Sequence, residues 1–419
     1  MTGGACEAVE PEPSAADDAG PQPGAASVPL DLACEMLPEA AQSGWIRGTA
    51  GTPFDGAPLA DVRAVGDASW DVALRVLQSE VGGPTRAFSP LSLLVSMGLS
   101  YGRYGSGACG DELLAAMRID GLEGLPLHDA IGSTLARVQA NELAGVQQEG
   151  TILDPVELSF APSIWEVTGP VEAPGYTSSY GAALHAFDGG EVAAMNAVIN
   201  CTIEEDSQGL LPDFLPASLP ANDTTAIDLA VSHLRAPWSA ALQERGPLAF
   251  VSDDGAEFDV PSIGAEEVSG GWLESEFATV ASLPLRGDAM EVMFVMPTGG
   301  TLEAYLGDLT TEGLLELREE MGRASFSVRM PSLDIDASTE DYVNTLGIAC
   351  EPFTLRSLLH GAALTLDEKG VEAAAGAAAE QWQTGGAFPE FYLELDRPFA
   401  FFVFDTETGA VLYSGSFGG

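Results

Sequence analysis

The sequence predicts an α+β domain built on large, mostly antiparallel or mixed sheets, and three observations lead there. Helical stripes gather early in the chain. Strand-like runs gather late. No linker and no fixed-period repeat interrupts residues 61 to 419. The early helices have legible ends. Trp70, Ala73, Leu74 and Leu77 recur at helical spacing, and Gly82-Gly83-Pro84 stops that stripe. Phe88-Ser89-Pro90-Leu91-Ser92 reads as a helix start, since a serine side chain can satisfy the first free N–H groups and proline suits the first turn. Leu93, Leu94, Met97 and Leu99 continue it. The strand-like runs are 226–232, 280–285, 292–296 and 324–330, then 391–395, 399–404 and 411–416. Asp405-Thr406-Glu407-Thr408-Gly409 reads as the turn of a closing hairpin.

Residues 1–60 are acidic and rich in Pro, Ala and Gly, with little periodicity, so they read as tail and linker ahead of a domain at 61–419. One short helix is expected near Leu30–Gln42, where Leu30, Leu32, Ala33, Met36 and Leu37 share a face. The charge is lopsided: 63 acidic against 16 basic residues, a net −47, with Lys369 the single lysine. Such a surface repels nucleic acid, anionic lipid and heparin-like polyanions, which excludes them as partners. The acidity suits either life in high salt or solubility of an exported protein, and the second reading is preferred. No run of 18 apolar residues exists. Thr2-Gly3-Gly4-Ala5-Cys6 looks like the tail of a bacterial lipoprotein cleavage site, which makes Cys6 a candidate for lipid attachment. A lone cysteine in a floppy terminus fits the same residues. With Cys6 set aside, Cys34, Cys109, Cys201 and Cys350 are an even number that could pair, in a combination the spacing does not decide. The expected location is extracellular or at the cell envelope, secreted or lipid-anchored.

Enzyme chemistry finds little support. The chain has four histidines, His128, His185, His233 and His360, and no Gly-x-Ser-x-Gly elbow, His-Glu-x-x-His motif, Cys-x-x-Cys pair or phosphate loop. No metal and no cofactor is expected. The informative segment is Val371–Glu380. Taken alone it could be a short alanine-rich helix or a low-complexity loop. Laid out as a strand, Val371, Ala373, Ala375, Ala377 and Ala379 point one way, while Glu372, Ala374, Gly376, Ala378 and Glu380 point the other. One face is small and apolar and carries no charge. That is what a segment needs to slide between strands over a core, where bulk would clash and an unpaired charge is penalised. No proline occurs from Val371 to Ala387, so every N–H there can join a ladder.

The run Leu364-Thr365-Leu366-Asp367-Glu368-Lys369-Gly370-Val371-Glu372-Ala373-Ala374-Ala375-Gly376, continuing into Ala377, strongly resembles the proximal hinge of inhibitory serpins. His360-Gly361-Ala362 is similar to that family's histidine-led strand entry. Arg397-Pro398-Phe399-Ala400-Phe401-Phe402-Val403, with Gly409, Leu412 and Gly415, resembles its C-terminal hairpin. Ser89-Pro90-Leu91-Ser92, Ile199-Asn200 with Ser207-Gln208-Gly209, Thr224 to Trp238 and Met293–Pro297 resemble further family segments in the right order, so the likeness runs from about residue 65 to 419. The resemblance implies a serpin fold with three β-sheets, about eight or nine helices and an exposed reactive-centre loop. It also implies a monomeric inhibitor of the bacterial, inhibitory type. A target protease would cleave the loop, form a covalent acyl-enzyme, and be carried along as the hinge, Glu368–Ala377, enters the main sheet.

The chain departs from the family pattern in three places. Val371 replaces the usual Thr or Ser. The tryptophan expected after Ile199-Asn200 is absent. Ala230-Val231-Ser232-His233 stands where the family has Asn-Ala-aromatic. The missing asparagine normally bonds near the histidine matched by His360, so the cluster controlling sheet opening is expected to use Ser89 and Ser92, with Ser232 as a further substitute. Counting from Glu368 puts the scissile bond at Thr384-Gly385. Counting back from Pro398 puts it nearer Ala387-Phe388, so Gln383, Gly386, Ala387 and Phe388 bracket it. With no Arg or Lys between Val371 and Glu390, elastase-, chymotrypsin- or subtilisin-like proteases are expected rather than trypsin-like ones. The alternatives are a papain-like cysteine protease reading Trp382, or a non-inhibitory serpin acting as carrier or chaperone.

Overall fold

In the computed structural model the described residues are 45–80, 85–105, 107–148, 151–167, 175–187, 192–221, 223–350, 355, 357–371 and 391–418. The expected helix at Leu30–Gln42, the lipidation candidate Cys6, hinge residues Glu372–Ala377 and the reactive-bond bracket Gln383–Phe388 lie outside them. Along the chain, β1 (Trp45–Ile46) leads to α1 (Leu59–Glu80), which turns Trp70, Ala73, Leu74 and Leu77 into the core. After β2 (Arg86–Phe88), the Ser92 N–H donates to Ser89 Oγ at 3.2 Å and caps α2 (Pro90–Tyr104). Helices α3 (Ala108–Met117) and α4 (Gly124–Gln139) follow, then a ribbon of β3 (Val146–Gln148) and β4 (Thr151–Leu153). Next come β5 (Glu157–Glu166), α5 (Thr177–Tyr180), β6 (Ala183–Phe187), α6 (Val192–Asp206) and β7 (Ala226–Pro237).

The second half is strand-rich. It holds β8 (Gln243–Glu244), β9 (Leu248–Val251), β10 (Glu257–Val260), β11 (Ser262–Glu274), β12 (Ala278–Pro284) and β13 (Met290–Pro297). Helices α7 (Leu302–Asp308) and α8 (Thr311–Glu320) precede β14 (Gly322–Pro331), β15 (Leu333–Asp341), β16 (Leu359–Asp367) and the two-residue β17 (Gly370–Val371). The chain closes with β18 (Phe391–Glu394), β19 (Phe399–Asp405) and β20 (Val411–Phe417). In the turn between the last two, the Thr408 N–H donates to Asp405 Oδ1 at 2.7 Å, and Gly409 takes the left-handed conformation the turn needs.

A seven-stranded sheet runs β1-β6-β5-β7-β17-β16-β15. A nine-stranded path runs β18-β14-β11-β12-β13-β19-β20-β2, with β8 on β11. This path is the expected second and third sheets joined end to end. The lower part of β11 pairs with β12 and continues toward the C-terminal hairpin; its upper part pairs with β8, and β18 flanks β14 there. A register shift between Ala265 and Val268 marks the bend. The main core fills the space between helices and sheets. A second cluster lies where α6 covers the outer face of the seven-stranded sheet, with Val198, Ile199 and Ile203 against Trp165, Phe187, Leu229 and Val231.

The ordered domain also begins earlier than composition suggests. Trp45 pairs with Phe187 on β6, the Gly51 and Phe54 N–H groups donate to the carbonyls of Gly181 and Ser179, and Ala57 is buried. The glycines that make this stretch look like a linker permit close approach: a side chain on Gly48 would run into the backbone of Leu184.

Candidate functional site

At one end of the seven-stranded sheet, β16 reverses through Glu368 and Lys369 and returns as β17, inserted between β16 and β7. The turn is held from both sides. The Asp367 carboxylate accepts the N–H groups of Lys369 (2.8 Å) and Gly370 (3.3 Å). Trp238 donates its indole N–H to the Asp367 carbonyl (2.7 Å) and its backbone N–H to the Lys369 carbonyl (3.2 Å). Gly370 has φ +151°, and a Cβ there would run into the Ala236 carbonyl oxygen, so the position requires glycine. Val371 stands between Ala236 and Leu366 and is 1% exposed, its side chain in the main core. The charged pair at the tip, Glu368 and Lys369, is partly exposed and 3.9 Å apart, a geometry worth little in energy. Among the described residues no ladder joins β7 directly to β16; β17 bridges them through Gly370 and Val371.

Below this turn lies the polar cluster. His360, on β16 and buried, accepts the Ser89 N–H on Nε2 at 2.7 Å. Ser89 Oγ contacts Ser92 Oγ at 3.0 Å, Ser92 Oγ contacts Ser232 Oγ at 3.1 Å, and the Tyr413 hydroxyl meets Ser232 Oγ at 3.0 Å. One connected chain therefore ties β16, the start of α2, β7 and β20 together. An accepting Nε2 fixes the neutral tautomer with its proton on Nδ1. Burial pushes the His360 pKa down to about 3, which keeps the ring neutral at ordinary pH. Ser89, Ser92, Ser232 and His360 lie together in one hydrogen-bonded cluster. Tyr413 was missed, because a tyrosine in an alternating strand carries no local sign of its partner.

A disulfide links Cys109 on α3 to Cys350, 241 residues on, and Cys201 on α6 is disulfide-bonded as well. Among the described residues no group of three or more His, Cys, Asp or Glu side chains is arranged to hold a metal ion, and no helix is long and apolar enough to cross a membrane.

The family model described as Serpin (serine protease inhibitor) matches residues 67–349 and 341–418. An uncharacterized serpin-like protein of Pyrobaculum aerophilum is 26% identical over 238 residues, 52% of this chain and 63% of that protein. Another, from Methanosarcina mazei, is 23% identical over 256 residues, 54% of this chain and 60% of that protein. The chain thus spans less than two thirds of the length of these curated relatives. Among solved structures, the thermophilic serpin tengpin in its native state has a TM-score of 0.70 at 14% identity, covering 89% of this chain and 97% of that one. Human thyroxine-binding globulin complexed with thyroxine reaches 0.68 at 17% identity, covering 85% and 98%. At such identities the structural likeness is one of fold. The family match spans most of the sequence, and together with the three sheets it identifies this chain as a member of the serpin family of protease inhibitors.

Proposed function

We propose that this serpin inhibits serine endopeptidases as a suicide substrate, with the segment after Val371 as bait and the seven-stranded sheet as trap. The observation that carries the reading is β17. The hinge is already seated between β7 and β16 for two residues, and those two strands are joined through it alone among the described residues. Continued one residue at a time, this register sets Glu372 between Arg235 and Thr365, and Ala375 between Ser232 and Ala362. Val371 faces the core, so Ala373, Ala375 and Ala377 would follow it inward while Glu372 faces out. Strand addition of this kind gains a ladder on both sides at once.

In the covalent step, the target's serine Oγ bonds to the carbonyl carbon of Thr384. The nitrogen of Gly385 leaves with the serine's proton, and an ester tethers protease to loop. Elastase-, chymotrypsin- or subtilisin-like enzymes suit a bait without Arg or Lys, and a papain-like enzyme is the second choice. Action outside the cytosol, as a secreted or lipid-anchored monomer, is part of the proposal. The Cys109–Cys350 disulfide supports it, since such bonds persist in oxidising compartments.

The test is incubation with a protease panel followed by denaturing electrophoresis. A band at the summed mass should appear with at least one enzyme. Ala375→Arg should turn the inhibitor into a substrate, because an unpaired cation resists burial, while Glu372→Arg should do much less. Cleavage without a stable complex by every enzyme would favour the carrier reading.

A further inference from the structure

A cavity of about 360 Å³ opens at the end of the seven-stranded sheet opposite β17, where β7 begins and the chain enters β16. Leu215 and Leu219, from the segment that follows α6, wall its outer side, with Thr225 and Ile227 along one flank and Leu355 and Leu359 along the other. Two carboxylates, Asp223 and Asp228, line it, and the second is held by named partners. Asp228 accepts from Arg103 at 2.7 Å and from Ser100 at 3.0 Å, and a second arm of Arg103 reaches Glu166 at 2.8 Å. Burial alone would lower the Arg103 pKa; the bonds and charges of Asp228 and Glu166 outweigh it and raise it, so the guanidinium stays charged and paired. The cavity offers an occupant apolar wall from Leu215, Leu219, Ile227, Leu355 and Leu359, with polar wall in about equal measure, a mixture that suits an indole with its ring and its one N–H.

The occupant can be counted out from Val371, the last position of β17. The two flanking ladders are regular: Gly370 lies opposite Pro237 and Asp367, and Val371 opposite Ala236 and Leu366. Kept in step, the chain reaches Leu229 and Leu359, the first residue of β16, with Ala378; four residues on, past the ends of both flanking strands, Trp382 would stand level with Thr225, which lines the cavity together with Leu355. Side chains alternate, so Trp382 would face outward, toward Leu215 and Leu219. Every residue from Ala373 to Ala379 is alanine or glycine, and Trp382 is the first bulky side chain the segment carries.

We propose that this cavity is the receptor for Trp382, and that the indole seats there when the cleaved loop enters the sheet, anchoring the far end of the inserted strand. The proposal rests on the inhibitory reading above and adds a residue and its site to it. A fused ring would bury on the order of 200 Å² against these walls. The small residues ahead of it thread the slot, and the large one locks it. The same indole would then serve twice, once as bait facing the protease and once as the anchor of the product.

The experiment uses the full chain, nicked between Gln383 and Phe388 with the cut mapped by mass spectrometry. It compares wild type, Trp382→Phe and Trp382→Ala. Thermal melts read insertion, and acrylamide quenching of the fluorescence difference between wild type and Trp382→Phe reads burial of this one indole. Nicking should raise the melting midpoint, shift the Trp382 emission to the blue and cut its quenching several-fold. Trp382→Ala should lose a clear part of the gain in midpoint, with the intact protein unchanged, and Trp382→Phe should keep most of it. If nicking raises the midpoint but Trp382 stays open to acrylamide, or Trp382→Ala gains as much as wild type, the anchor is wrong and insertion stands. If nicking raises nothing and Trp382 stays open, both the anchor and the inhibitory reading fall.

Discussion

Lys369 is the only lysine in the chain, so a lysine-specific endoprotease can cut one bond, Lys369–Gly370, and that bond lies at the mouth of the hinge. To be cut, β17 must leave the sheet, because a protease binds several extended residues on each side of the bond. The cost can be worked from the structure. Burying the Val371 side chain is worth about 2 kcal/mol. The ladder bonds of Gly370 and Val371 and the two Trp238 bonds, after the entropy of ordering the turn, bring local opening to about 3 kcal/mol. At about 1.4 kcal/mol per factor of ten, the folded protein should be cut roughly a hundredfold more slowly than the unfolded chain.

Val371→Asp removes that protection. A carboxylate among Ala236, Leu366 and the core would have no partner, so the hinge should be released while the rest of the domain stays folded. The assay is the ratio of the cleavage rate without urea to the rate in urea for each variant, since each protein is then its own reference. The ratio should be near 0.01 for wild type and near one for Val371→Asp, with melting midpoints within a few degrees. A wild-type ratio near one would mean that the hinge does not dock in solution. Equal protection in both proteins would mean that Val371 is not what holds it.

Two further outcomes follow from the same interior. His360 has its pKa pushed by burial from 6.5 to about 3, and His128 and His185 are pushed by burial to about 4. A histidine depressed in the folded state contributes stability that is complete above its unfolded pKa and is lost as pH falls through 6.5 toward the folded value, up to about 5 kcal/mol for His360. His360→Gln should flatten the acid limb of a melting-midpoint profile between pH 6.5 and 4, and a profile parallel to wild type would count against the buried neutral ring. Replacing both Cys109 and Cys350 with serine opens a link spanning 241 residues and should cost about 2–5 kcal/mol, read as a midpoint several degrees lower; an unchanged midpoint would mean that the link adds nothing to stability.

Much of this was legible because local chemistry decided it. Ser89-Pro90 starts a helix by capping, the Trp70 stripe forms one face of α1, and the small apolar face of the hinge places Val371 inward, where it is found. What stayed hidden depends on partners far along the chain. Nothing in the spacing of Cys109 and Cys350 brings them within 4.7 Å of each other between Cα atoms. Composition misread residues 45–58, since glycine marks both floppy linkers and tight backbone approach; Gly48 against Leu184 and Gly51 against Gly181 are the second kind. The join of two sheets through β11 rests on one irregularity at Ala265–Val268 that no residue preference announces. Tyr413 reaches Ser232 across 181 positions, which strand alternation cannot foretell.

The place of β19 and β20 has a consequence for how the protein is made. Every residue of β19 is buried, β20 lies between it and β2, and Phe402 and Phe404 pack at a tilt against Trp70 of α1. A ribosome delivers the chain from its N-terminus, so the hinge emerges before the two strands that complete the core around α1. During that interval the segment after Val371 is present and the body around the seven-stranded sheet is unfinished. Gly370 and Val371 therefore emerge and find their places between β7 and β16 before the closing strands exist. On the proposed mechanism, the closing hairpin must find β2 and β13 before the segment after Val371 enters the sheet.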